Sequence, residues 1–351
     1  MKKMKAVCAK GDGTVEVVEV PAPDITDDYE CLVRVTACGL CSSTDLKIIG
    51  YGSVGEMPIE YPTLVGHEGV GVIEKVGSKV RNYKVGDRVT CPIGLPVEGY
   101  HNNWGGMNGY CVTFDAQAIF EDGLKSEYEF TKNLDDPIDF LTKPIPEGMS
   151  DPDAVMILTL KENYSALKNF GVKKGSRVLI FGDGAVALGL SIFAKCLGAE
   201  WVGNIGHHDE RLARIKNLAK VDMTVNSHTE NVEEAIGDRR FDVVVDAVGS
   251  VDIIKQGAKF LVPGGLVGIY GVLHKGHSTL DLQDLPNNVR LQMLNWPYHE
   301  HRQHEEILEL IREGKVDPKE FYSHVLPIDE AEKGVEMIKK REAYKVIFTM
   351  E

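Results

Sequence analysis

Short apolar runs broken by glycine and proline dominate the first 90 residues. Val15–Val20 and Cys31–Ala37 are such runs, Pro21, Pro23 and Gly39 interrupt them, and Gly66–Val89 is studded with glycines. This texture predicts many short strands in a partly open barrel or sandwich rather than a layered α/β sheet. From about residue 150 the pattern changes. Ser150-Asp151-Pro152-Asp153 is a capping box with proline early in the first turn, and apolar Ala154–Leu158 follows, so a helix starts there. Beyond it, strand-like and helix-like runs alternate: Arg177–Phe181 (strand), Ala185–Leu197 (helix), Trp201–Ile205 (strand), Glu210–Ala219 (helix), then Phe241–Ala247 and Leu266–Tyr270. That alternation predicts a parallel sheet covered on both faces. The tail reads helix, helix, strand over Glu305–Arg312, Ile328–Lys340 and Tyr344–Thr349.

A chain of 351 residues is long enough for two domains. No apolar run is long enough to cross a bilayer, so no membrane partner is expected, and Met1–Val17 lacks the apolar core of an export signal. Acidic residues outnumber basic ones 53 to 39, which argues against a broad nucleic-acid-binding face. The seven cysteines are odd in number and scattered, which fits a reducing cytoplasm rather than a disulfide framework. The acidic stretch 121–139 reads as a solvated surface excursion.

Between the strand Arg177–Phe181 and the helix after it lies Gly182-Asp183-Gly184-Ala185-Val186-Ala187, a G-x-G-x-x-[G/A] turn. Gly182 permits the tight turn, Gly184 lets backbone approach a pyrophosphate, and Ala187 allows close helix–strand packing. The free N–H groups opening the helix, from Ala185 and Val186 onward, favour an anion. The strand, helix and second strand fall where a dinucleotide needs them. The second strand should end on the residue that reads the adenosine ribose, where Asp or Glu would hold the 2′-hydroxyl of NAD. Here stand Gly206, His207 and His208, with Arg211 close behind, a set that favours NADP(H) over NAD(H). The alternative is that Asp209 bends back to the ribose.

Cys38-Gly39-Leu40-Cys41-Ser42-Ser43-Thr44-Asp45 follows a strand, and Gly66-His67-Glu68-Gly69 comes soon after. Thiolate, imidazole and carboxylate are the usual zinc ligands, and a catalytic zinc takes three of them plus an open position. Cys38-x-x-Cys41 lacks the surroundings of a redox pair, and a second C-x-x-C for a structural zinc is missing. The histidine-dense stretch Tyr298–His304 follows Trp296-Pro297 and reads as solvent-facing histidines at a helix start.

The strings GHEGVGVIEKVGSKVRNYKVGDRV, FDVVVDAVG, LVPGGLVGIYG and AYKVIF, in this order with the glycine turn, resemble the zinc-dependent medium-chain dehydrogenase/reductase family, nearest to its sorbitol- and glucose-dehydrogenase-like members. The resemblance implies a β-rich GroES-like catalytic domain over residues 1–150 and 298–351. It also implies an α/β Rossmann domain, a doubly wound parallel sheet, over 151–297, with zinc, substrate and nicotinamide in the cleft between them. It further implies one catalytic Zn2+, a small alcohol, polyol or sugar substrate, and a homodimer or homotetramer.

By residue match, Cys41, His67 and Glu68 take the metal positions, and Asp45 orients His67. Three residues separate Cys41 from Asp45 where the family has two, so Ser42 occupies the aligned slot and either Ser43 or Thr44 would touch the substrate oxygen. The family's remaining ligand should fall near Leu158, where there is none; Glu162, one helical turn further, is the substitute. The four-cysteine lobe is absent, so no second metal is expected. Lys47 stands where the family places a relay histidine, and could carry a proton if burial depresses its pKa. Val248, Gly249, Tyr270, Gly271 and Val272 would hold the nicotinamide amide. His101, Asn102, Asn103 and Trp104 could line a polyhydroxylated substrate's pocket. These features predict a zinc-assisted hydride transfer between an alcohol and a carbonyl. The alternative is a zinc-independent nicotinamide reductase acting on an activated double bond or carbonyl.

Overall fold

A computed structural model describes residues 2–50, 52–54, 57–273, 278–294 and 299–350. The chain divides into two compact units, one of residues 1–158 with 317–351 and one of residues 159–316. The division falls inside the helix Asp151–Asn169, and residues 298–316 cluster with the second unit. One half of the expected capping box opens that helix: the Asp153 N–H donates to Ser150 Oγ at 3.3 Å, while the Asp153 carboxylate accepts the Ser150 hydroxyl at 2.7 Å.

The first unit is built on the strand Glu30–Leu40. It pairs antiparallel with Glu68–Val76, with Tyr110–Phe114 and with the C-terminal strand Val346–Thr349. Arg88–Thr90 extends the sheet on one side and His324–Pro327 on the other. A second sheet runs in the order Val15–Pro21, Lys3–Ala9, Thr63–Leu64, His101–Asn102. Along Glu30–Leu40, Leu32, Arg34 and Thr36 are partly exposed, whereas Ala37 to Leu40 are all buried. Alternation thus gives way to burial on both faces where the candidate site begins. The expected β-rich, GroES-like unit is what forms. Within 121–139 the acidic side chains are mostly exposed, while Tyr128, Phe130 and Leu134 pack over the cluster around Phe114.

The second unit is a six-stranded, wholly parallel sheet in the order Met223–Asn226, Trp201–Gly206, Arg177–Phe181, Phe241–Asp246, Leu261–Ile269, Arg290–Met293. Numbered along the chain this is 3-2-1-4-5-6, the Rossmann order. Its core joins Leu179 and Phe181 to Ile205, Val225, Val244, Val267 and Ile269.

The histidine-dense stretch differs from expectation. Trp296, Pro297 and Tyr298 lie outside the described residues. His299 is exposed, but His301 and His304 are buried. His301 Nδ1 lies 3.2 Å from the buried Lys161 ammonium and its Nε2 lies 3.1 Å from Glu300. A buried ammonium and carboxylate need partners, and the histidine bridges them. Among the described residues, no helix is long and apolar enough to cross a membrane.

Candidate metal centre and dinucleotide turn

In the first unit the site assembles where three strands meet. Gly39 pairs with Ile347 on one side and Glu68 on the other. Immediately after this strand the chain turns through Ser42 and Ser43 into the short helix Thr44–Gly50. The buried Asp45 carboxylate stitches the turn to the next segment. Its Oδ2 accepts the Cys41 N–H at 2.9 Å, and its Oδ1 lies 3.0 Å from His67 Nδ1. With Nδ1–H donating to Asp45, Nε2 is the imidazole nitrogen left for a metal. The extra residue between Cys41 and Asp45 is therefore absorbed by the turn, and Cys41, not the exposed Ser42, presents its side chain to His67.

Cys41, His67 and Glu68 each offer a ligand atom, and these atoms lie within 4.8 Å of one another. Ligand atoms around a tetrahedral zinc stand about 3.4–3.6 Å apart, by the usual Zn–N and Zn–S distances. A contraction of roughly 1 Å would close this trio on an ion, and the donor set is the one zinc takes. Burial opposes protonation of His67, but the Asp45 and Cys41 charges outweigh it and hold the imidazole pKa well above its ordinary value. Thr44 N–H donates to Cys41 Sγ at 3.4 Å. Ser43 and Thr44 are half-buried beside it. Lys47 is buried, and desolvation lowers its pKa against the opposing pull of Cys41.

One feature of this site has no counterpart in the sequence expectations. Lys345, buried immediately before the C-terminal strand, donates to Glu68 Oε2. Burial alone would lower its ammonium pKa; Glu68 and Cys41 outweigh burial and raise it. The pair occupies the space over Gly39, where a Cβ would lie 2.2 Å from Glu68 Oε2 and 3.2 Å from Lys345 Cε. Trp104, at φ +62°, sets its ring 5.5 Å from the His67 ring. The neighbouring Asn102 and Asn103 Nδ2 groups donate to Gly94 O and Thr63 Oγ1, and the exposed His101 ring faces Glu60. Glu162 belongs to the second unit.

In the second unit, Gly182 adopts φ +141°, and a Cβ there would press on the Ala187 and Ala247 methyls, each at 3.3 Å. Gly184 is the N-cap of the helix Ala185–Cys196 and offers no side-chain cap, so the first N–H groups, starting at Ala185 and Val186, are open to an anion. Asp246 Oδ1 accepts the N–H groups of Val248 and Gly249, and its Oδ2 that of Ser250, all at 2.9 Å. Its backbone carbonyl accepts from Tyr270 and Gly271. The two loops touch so closely that a Cβ on Gly249 would lie 2.5 Å from the Val272 carbonyl oxygen. Val248, Gly249, Tyr270, Gly271 and Val272 thus form one rigid backbone platform, with Asp246 the residue that sequence reasoning missed.

At the end of Trp201–Gly206, the carboxylate of Asp183 fills the place of the missing side chain of Gly206, where a Cβ would lie 2.6 Å from Asp183 Cβ. Asp183 Oδ2 accepts the N–H groups of His207 (2.8 Å) and His208 (3.0 Å) and meets His208 Nδ1 at 2.9 Å. Arg211 lies 3.8 Å from Oδ1. Asp209 accepts from Asn226 Nδ2 instead of turning back. His207 stacks on His228, ring centroids 4.1 Å apart.

Comparison with known proteins agrees with this architecture. Residues 27–128 match the alcohol dehydrogenase GroES-like domain, and residues 185–313 match the zinc-binding dehydrogenase family. An uncharacterised zinc-type alcohol dehydrogenase-like protein of Bacillus subtilis is 29% identical over 95% of this chain and 96% of its own length. Sorbitol dehydrogenase 1 of Saccharomyces cerevisiae is 26% identical over 94% of this chain and 92% of its own. The benzyl alcohol dehydrogenase of Acinetobacter calcoaceticus shares the fold over all of both chains, with a TM-score of 0.81 at 20% identity.

Proposed function

This chain belongs to the zinc-type medium-chain dehydrogenase/reductase family of NAD(P)-dependent alcohol–carbonyl oxidoreductases, and from that premise we propose that it interconverts a polyol or sugar hydroxyl and its carbonyl with the help of one catalytic zinc. The observation that carries this reading is the Cys41–His67–Glu68 trio with Asp45 behind the imidazole. Bound there, zinc would supply Lewis-acid polarisation of the substrate oxygen. Asp45 fixes the His67 tautomer, and Ser43 or Thr44 is proposed to hold the substrate hydroxyl and pass its proton on. Lys47, with its depressed pKa, is the next proton carrier. Trp104 is a flat wall beside His67 against which the carbon skeleton can rest. Glu162 is proposed as a further metal ligand.

In that unit the open helix N-terminus and the Asp246-pinned platform fit a pyrophosphate and an amide-bearing ring. The expectation of NADP(H) rested on a bare Gly206 followed by His207, His208 and Arg211. The Asp183 carboxylate, standing where a Gly206 side chain would lie, weighs toward NAD(H) instead. Assembly into a homodimer or homotetramer is part of the proposal, supported by the exposed Leu291 and Met293 on the last strand of the parallel sheet. Residence in a reducing compartment is supported by seven free cysteines.

The Lys345–Glu68 pair favours a second reading. A carboxylate already neutralised by an ammonium is a poorer metal ligand, which suits a zinc-independent reductase of the same fold. Metal analysis of the purified protein, beside a spectrophotometric panel of polyols, aldoses and their phosphates with NAD and NADP, separates the two. About one zinc per chain with alcohol oxidation supports the first; full activity without zinc supports the second.

A further inference from the structure

We propose that Asp183, in the second position of the glycine turn, is the residue that selects a dinucleotide with a free 2′-hydroxyl, so that NAD(H) is bound in preference to NADP(H). This rests on the nicotinamide-dependent activity proposed above.

The acid that reads the adenosine ribose ordinarily stands at the end of the second strand of the sheet. In this chain that position is Gly206, and the Asp183 side chain stands in the space its Cβ would take. The carboxylate comes from a different point of the chain to the same corner. It is well built: 12% exposed, with three donors from His207 and His208 converging on Oδ2. Those donors fix the rotamer and leave Oδ1, whose nearest cation is the Arg211 guanidinium at 3.8 Å, beyond hydrogen-bond distance. An oxygen held this way can accept from a ribose hydroxyl. A 2′-phosphate in its place would set two anions against each other. Arg211 and His208, the groups that would otherwise receive a phosphate, are turned toward Asp183. The donors from His207 and His208 outweigh burial and keep the carboxyl ionised at neutral pH. A side chain that served only to pin the loop would affect both dinucleotides alike.

The test is isothermal titration of the full-length protein with NAD+ and with NADP+. It compares wild type, Asp183→Asn and the double variant Asp183→Gly/Gly206→Asp. Asparagine keeps an oxygen for the His207 and His208 donors and removes the charge. The double variant moves the acid to its ordinary position, and glycine at 183 is required because the Asp183 Cβ itself blocks residue 206. The expected result is that wild type binds NAD+ at least roughly tenfold tighter, that Asp183→Asn reduces the ratio of dissociation constants by roughly tenfold, mainly by gaining NADP+, and that the double variant restores it. Preference of the wild type for NADP+, or a ratio unmoved by Asp183→Asn, overturns the inference while leaving nicotinamide use intact. Binding of neither dinucleotide by the wild type overturns both.

Discussion

Lys345 and Glu68 form a buried ion pair across a glycine. They come from opposite flanks of the strand Glu30–Leu40, and they meet because Gly39 has no side chain to keep them apart. A carboxylate placed beside Cys41 and His67 is therefore positioned by a residue 277 positions later in the chain. Removing one partner of a buried pair leaves the other charge without compensation.

Lys345→Met should accordingly destabilise the first unit by about 3–5 kcal/mol. Chemical denaturation followed by circular dichroism measures this. A loss smaller than that of an ordinary surface substitution would show that Glu68 is satisfied by other means.

Gly39→Ala tests the same junction from the other side. A methyl group placed 2.2 Å from Glu68 Oε2 forces the pair or the strand to move, and overpacking of this kind costs about 1–3 kcal/mol. A lower thermal midpoint is expected, and an unchanged one would count against the crowding described here.

Asp45→Asn should weaken zinc binding by about 10–100-fold while leaving the fold in place, because a neutral amide orients the His67 ring less firmly and no longer makes its Nε2 a more basic ligand. Competition with a chromophoric chelator gives the affinity. Retention of full affinity would mean that Asp45 serves only to close the turn at Cys41.

Asp183 supplies a pH test of the second unit. Burial pushes its carboxyl up, but the donors from His207 and His208 outweigh burial and bring it below its ordinary value. A lowered folded-state pKa stabilises the fold above the unfolded-state value, and that stabilisation is lost as pH falls through the folded one. Asp183→Asn should thus be less stable than wild type at neutral pH, and the two thermal midpoints should converge in acid. A difference that stays constant down to pH 3 would contradict the assignment.

The parts legible in the sequence were those encoded locally. Ser150 and Asp153 cap a helix, Gly182 and Gly184 turn a strand into one, and Cys41, Asp45, His67 and Glu68 lie within 28 residues of one another. What was not legible depends on register between distant segments. Lys345 reaches Glu68 only because Val346–Thr349 pairs with Ala37–Leu40. Asp183 substitutes for a side chain at 206, although a polar residue inside a glycine turn, matched with a glycine where an acid belongs, was a usable signal. His301 and His304 looked like solvent-facing residues because nothing in their own stretch discloses the buried Lys161.

On the proposed function, Cys41, His67 and Glu68 hold one zinc that the reaction requires. The direct measurement is zinc content by mass spectrometry, with alcohol-oxidation turnover on the same samples, for wild type, Cys41→Ala and His67→Ala. About one zinc per chain is expected in the wild type, with both metal and turnover lost in each variant. Wild-type turnover without zinc, or variants that keep metal and rate, would contradict it.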